Sequence, residues 1–180
     1  TQGGTGRIKM GTESNGGFRN ITISNCTFRS CRGLALEEVD GGILENISIS
    51  NITMMDVGGY PIYITTGQRN RGPAITHPSL MRNISISHVV AANVEATSGI
   101  QITGMADTPI ENVRLEDISI QYAGGGTAQQ ADRIPPELDR GYPDPGRIGV
   151  TPAYGLFARH VKGLELANLR FTVAKLDARP

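Results

Sequence analysis

The sequence predicts an all-β fold, a parallel β-helix of about five coils, and three observations predict it. A segment of alternating apolar and small polar residues, LENISISNITM (Leu44–Met54), recurs at Phe18–Phe28, Met81–Ala91, Ile110–Ile120 and Val161–Phe171. Aligned, the copies form apolar columns (Ile21, Ile47, Ile84, Val113, Leu164; Ile23, Ile49, Ile86, Leu115, Leu166; Cys26, Ile52, Val89, Ile118, Leu169) beside polar ones rich in asparagine. A second, shorter apolar strand accompanies each copy, and starts of successive copies lie 26, 37, 29 and 51 residues apart, as in coils carrying loops of different length.

The elements follow in order. In GRIKMGTE (Gly6–Glu13), period-two alternation turns Ile8 and Met10 inward and Arg7 and Lys9 outward. FRNITISNCTF then places Asn20 and Asn25 at the head of two columns, continued by Asn46, Asn83 and Asn112 with Gly163, and by Asn51, His88, Asp117 and Asn168. Asparagine tolerates a left-handed corner, and its amide can bond the amide of the next copy, so these columns predict stacked turns. RGLALEEV (Arg32–Val39) follows at a 26-residue offset, which sets Gly33 beside Arg7, Ala35 beside Lys9 and Glu37 beside Gly11. Glu13, Glu37, Glu38 and Asp40 then cluster at one corner.

After the second copy, YPIYITTG (Tyr60–Gly67) places Tyr63 outward in the column of Lys9, and a loop insertion is expected over about residues 68–80. SGIQITGM (Ser98–Met105) adds Gln101 to the same column. Beyond the fourth copy, residues 121–152 are rich in Gly and Pro and too long for a corner; this insertion either walls a groove or covers one face. AYGLFARH and VKGLELANLRF complete the fifth coil, so residues 1–180 read as part of a single β-helix domain. Neither end shows an atypical capping repeat, which predicts a fragment without caps, completed by upstream coils or by another chain. A leucine-rich repeat fits less well, because its asparagine would fall one residue later and a helical segment would replace the second strand.

Composition narrows the function classes. The 17 basic and 17 acidic residues give a net charge of zero, with no basic cluster and no Trp, so nothing points to nucleic acid. No apolar run reaches the length of a membrane span, and no signal peptide opens the chain. Cys26 falls in an inward column and reads as a buried thiol; neither it and Cys31 nor His77, His88 and His160 have metal-ligand spacing, so no metal and no cofactor is expected. Five N-x-Ser/Thr sequons, at Asn20, Asn25, Asn46, Asn51 and Asn83, are accounted for by the repeat itself.

GRIKMGTESNGGFRNITISNCTF followed by RGLALEEVDGGILENISISNITM, with PIENV, GGGTA and PAYG further on, resembles glycoside hydrolase family 28, the polygalacturonases and their relatives. The resemblance implies a right-handed single-stranded parallel β-helix, hydrolysis of galacturonide bonds in pectin, and a secreted or periplasmic location. Arg7-Ile8-Lys9 is similar to the family's substrate-binding Arg-x-Lys motif. The family's catalytic Asn-x-Asp and Asp-Asp segments and its Gly-His-Gly motif are absent from this sequence, so the resemblance places the acid and base upstream of Thr1.

Read from the residues alone, Arg7 and Lys9 make either a clamp for a uronate carboxylate or an ordinary solvated strand face. Tyr63 is either a stacking platform for a sugar or a tyrosine packed beneath the loop Gln68–Leu80. Gln101, one coil further on, completes the candidate substrate-binding set. The acidic corner could serve as a pair of catalytic carboxylates, but turn hydrogen bonds and pairing with Arg7 or Arg32 account for it better. The rival functions are a polysaccharide lyase, which would need Ca²⁺ and a basic residue, and a non-catalytic carbohydrate-binding β-helix.

Overall fold

The computed structural model describes residues 8–73, 77–95, 99–138 and 140–180. Ten strands occur among them: β1 (Ile8–Met10), β2 (Phe18–Cys31), β3 (Leu34–Glu38), β4 (Ile43–Val57), β5 (Ile62–Thr66), β6 (Leu80–Val94), β7 (Ile100–Thr103), β8 (Ile110–Gly124), β9 (Leu156–Arg159) and β10 (Val161–Lys175). The odd strands form one parallel sheet in the order β1-β3-β5-β7-β9, and the even strands a second in the order β10-β8-β6-β4-β2. This alternation of one short and one long strand, each stacking on its counterpart one coil away, is the parallel β-helix that the repeats predict.

Register follows the predicted columns residue by residue: Ile21 pairs with Ile47, Ile47 with Ile84, Ile84 with Val113, and Val113 with Leu164. Inward residues of the middle coils, such as Ile49, Ile86 and Leu115, are fully buried and pack on Leu36, Ile64 and Ile102 of the facing sheet in one continuous core. The outer coils differ. Ile21, Ile23, Cys26 and Phe28 at one end, and Leu164, Leu169 and Phe171 at the other, are only partly buried, and Leu166 is 47% exposed. Cys26 is therefore half-buried rather than the enclosed thiol its column predicts: it belongs to the outermost long strand, which has a neighbour on one side only.

The long strands turn at left-handed residues. Asn20, Asn46, Asn83 and Asn112 all have φ between 55° and 57°, and Gly163 takes the same hand at 71°. The second corner column, Asn25, Asn51, His88, Asp117 and Asn168, is equally left-handed, at 52° to 59°. A third column, Ser30, Asp56 and Asn93, completes the set. The side chains stack as ladders: Asn46 donates to Asn20 at 2.9 Å, Asn83 to Asn46 at 3.0 Å, and Asn112 to Asn83 at 3.1 Å. In the second column Asn51 donates to Asn25, and Asn168 to Asp117. Each amide thus offsets the strain of its own corner with a bond to the coil beside it.

Residues 125–155 leave the coil and carry two one-turn helices, α1 (Ala128–Ala131) and α2 (Pro145–Ile148). The segment Asp177–Pro180 holds both ends of this insertion. Asp177 accepts from the Gly126 amide at 2.9 Å, Arg179 donates to the Thr151 carbonyl at 3.3 Å, and the Tyr154 amide donates to the Pro180 carbonyl at 3.1 Å. Asp177 and Arg179 also pair at 2.8 Å; hydrogen bonds from Arg179 hold the Asp177 carboxyl down at a pKa of about 2. No helix among the described residues is long and apolar enough to cross a membrane.

If the corners depend on both backbone hand and amide ladder, Asn46→Gly should lose only the ladder and Asn46→Ala should lose both. The alanine variant should then be less stable than the glycine variant by about 1–2 kcal/mol, measured by chemical denaturation.

Candidate functional site

The site begins where β1 lies beside β3. Lys9 pairs in register with Ala35, and the column continues through Tyr63, Gln101 and Phe157. Lys9 faces outward, while Met10 beside it is 4% exposed. Its ammonium meets Glu37 Oε2 at 3.0 Å, and Glu37 is buried. The hydroxyl of Thr12 donates to the same oxygen at 2.9 Å. Gly11 permits this close approach: its φ is 106°, and a Cβ there would lie 2.6 Å from the Glu37 carbonyl oxygen. Arg7 lies outside the described residues.

The next residues form a buried acidic corner. Asp40 accepts from Arg69 Nε at 3.0 Å, from the Arg71 amide at 2.9 Å and from the Ser14 amide at 3.3 Å. Arg69 also meets Glu13 at 3.0 Å. Burial raises the Asp40 carboxyl, but the Arg69 guanidinium and the two amides outweigh it and hold the pKa below the ordinary value. Glu38 accepts from the Gly42 amide at 2.9 Å through Oε1, while Oε2 has no hydrogen-bond partner among the described residues. Burial pushes its pKa up to about 7. Glu37 is raised as well: burial outweighs the stabilising charge of Lys9.

These bonds bear out turn and ion-pair roles for the acids and identify the partners, which are Lys9 for Glu37 and Arg69, from the loop after β5, for Asp40. The sequence reading names Arg7 and Arg32; Arg7 lies outside the described residues, and Arg32 makes no ion pair with these acids among the described residues. The reading misses Arg69 because the loop's return path to the corner is a tertiary fact with no periodic signal.

The insertion forms the opposite wall. The Tyr142 hydroxyl donates to Thr12 Oγ1 at 3.1 Å, and its ring stands 5.8 Å from the Lys9 ammonium and 6.0 Å from the Arg69 guanidinium. At these distances the ring contributes a cation–π attraction of about 0.5–1 kcal/mol per cation in a partly exposed setting. Between the insertion and the short-strand sheet lies a cavity of about 560 Å³, bounded by Lys9, Glu37, Arg32, Gly59, Tyr142 and Asp144 among others. The insertion takes both roles open to it: Tyr142 walls the groove at Lys9, and Ile148 covers the face at Tyr63.

Tyr63 and Gln101 share the column of Lys9 but not its exposure. Tyr63 is 2% exposed and packs with Tyr60, Ile148, Leu138 and Ala35. It lies beneath the 121–152 insertion, not the 68–80 loop. Burial pushes its phenol pKa up, and its hydroxyl has no hydrogen-bond partner among the described residues. Gln101 is fully buried, with neither amide atom bonded among the described residues. The structure therefore brings Lys9 to the cavity and Tyr63 to its edge, and keeps Gln101 away from it. Tyr142, Asp144 and Arg32 line the same space, and the sequence singles out none of them as binding residues.

In comparison with known proteins, the family model described as Glycosyl hydrolases family 28 matches residues 5–138. No curated protein and no solved structure matches the chain.

Glu38 sets a pH dependence of stability. Its pKa stands near 7 in the fold against an ordinary 4.5, so between those values the folded chain binds more protons than the unfolded one, and stability falls as pH rises. Glu38→Gln removes this term while keeping an acceptor for Gly42. Its unfolding free energy relative to the parent protein should therefore improve by about 2–3 kcal/mol from pH 4.5 to pH 7 and level off above, checked by denaturation across that range.

Proposed function

The chain belongs to glycosyl hydrolases family 28, and from that premise we propose that the parent protein hydrolyses galacturonide bonds in pectin, with this segment binding the acidic sugar through Lys9 and Arg7 of the Arg-Ile-Lys strand. The observation that carries the reading is Lys9 itself. It is a cation at the rim of a walled cavity, 3.0 Å from a single buried carboxylate. An ammonium has three donors, and the bond to Glu37 occupies one of them, so a uronate carboxylate can take another while the ion pair stays in place.

Hydrolysis by single displacement requires one carboxyl group to protonate the leaving oxygen and a second to activate water on the opposite face of the sugar. Asp40 is fixed by Arg69 and two backbone amides, and Glu38 turns to the Gly42 amide, so neither is placed to hold a water against a substrate. The chain's part in the reaction is binding and orientation. The acid and base belong to segments resembling the Asn-x-Asp and Asp-Asp motifs of the family. A secreted or periplasmic location accords with a polymeric substrate of this kind.

Lys9→Ala should weaken binding of galacturonides by about 10- to 100-fold, the worth of one charge-assisted hydrogen bond, and leave binding of neutral oligosaccharides nearly unchanged. Calorimetry on both ligand classes tests this, and equal losses would count against the clamp. Because a bound uronate sets a negative charge near Glu37, whose pKa is already raised, binding favours the protonated form of Glu37. Affinity for a galacturonide should thus fall as pH rises through the titration of Glu37, and Glu37→Gln should bind more tightly at neutral pH with a flatter profile.

A further inference from the structure

In a parallel stack each strand lies about 4.8 Å from the next, so the column Lys9, Ala35, Tyr63, Gln101, Phe157 marks a path on which a polysaccharide running across the coils would lie. The path is open at Lys9 and half-open at Ala35. At the third and fourth coils it is shut, for Tyr63 is 2% and Gln101 0% exposed. At the third coil what shuts it is the insertion. Ile148, itself 1% exposed, packs with Tyr60 and Tyr63.

The covering segment is held from several directions. Arg159 donates to the Pro135 carbonyl at 2.7 Å and the Pro136 carbonyl at 3.1 Å. His160 meets Glu137 at 2.8 Å, and Tyr60 donates to the Gly149 carbonyl at 3.2 Å. Arg133 donates to the Ile148 carbonyl at 3.1 Å, and Tyr142 is tied to Thr12 on the opposite side. Its two ends are clamped by Asp177 and Arg179. A segment tied in this way is a fixed wall across the path, and the cavity of about 560 Å³ is the space left in front of it. That volume is in the range that encloses a small ligand.

We propose that this cavity is a terminal subsite: it receives the end of an acidic oligosaccharide chain, with Lys9 on the rim and Tyr142 and Ile148 carrying the wall that stops the chain at the second coil. The inference rests on the reading of Lys9 as a galacturonide-binding residue and adds that the bound sugar is a chain end. The interior of a polymer would have to pass through the space that Ile148 and Tyr142 occupy.

Two measurements on the whole protein test it. The first compares binding of a galacturonide oligomer of about six sugars carrying a bulky fluorophore at one end or at the other. One tag should weaken binding by at least about tenfold and the other should not. The second measures stoichiometry on galacturonan chains of increasing length, which should stay at one protein per chain. Tolerance of both tags, or more protein bound per chain as length grows, would overturn the terminal subsite and leave the galacturonide reading intact. Failure to bind any galacturonide, tagged or untagged, would overturn both. Ile148→Ser, which loosens the wall, should restore binding of the excluded tag. Should that variant fold poorly, Tyr142→Ala gives the same readout from the exposed face, and the tag comparison on the unaltered protein decides alone.

Discussion

The rest of the structure depends on one constraint: every coil must turn at the same places in the same hand, or the next coil cannot stack on it. Left-handed backbone costs most residues about 1–2 kcal/mol, and only glycine and the short polar residues visit it readily. Here the cost is met at asparagines whose amides reach the asparagines of neighbouring coils, so each corner is stabilised by the one next to it. Where the ladder ends, Gly163 keeps the hand without a side chain. Because the corners hold the register, an isoleucine in one coil meets an isoleucine in the next across coil lengths that differ by tens of residues, and the differences are expelled as loops.

That expulsion builds the site. The corner after β3 collects three buried carboxyl groups, and each is satisfied differently: Glu37 by a lysine one coil away, Glu38 by a backbone amide and by its raised pKa, Asp40 by an arginine from an extruded loop. Burying charge is costly unless it is paired, and here the pairing ties β1, β3 and the loop after β5 into one unit. The second extruded segment supplies what a flat sheet lacks, a facing wall, through Tyr142 and Ile148.

The coils were legible in the sequence because period-two alternation and asparagine columns are local signals, and the offsets between copies transfer directly into strand register. Lys9 beside Ala35 and Glu37 beside Gly11 follow from arithmetic on the repeat. The third corner column was less legible, since Ser30, Asp56 and Asn93 share a backbone conformation but no residue type. The fate of Tyr63 was legible only as one of two alternatives, a packed tyrosine placed under the wrong loop, and that of Gln101 was not legible. Alternation correctly turns them away from the core, but whether outward means solvent depends on where residues 121–152 fold, and that segment carries no period. Arg69 and Tyr142 escape for the same reason: each reaches the site from an insertion whose path is set by tertiary contacts.

The clamp made by Asp177, Arg179 and Pro180 carries a consequence for the order in which the molecule is assembled. Both ends of the wall, at Gly126 and at Thr151–Tyr154, are seated on a tail that leaves the ribosome some fifty residues after the first of them. Coils can stack as they emerge, each on its predecessor, because their contacts reach only the neighbouring turn. The two ends of the wall cannot be clamped until the tail arrives. During synthesis the wall therefore rests on Tyr60, Tyr63 and Thr12 with its ends unfastened, and the clamp is the last of these fastenings to form.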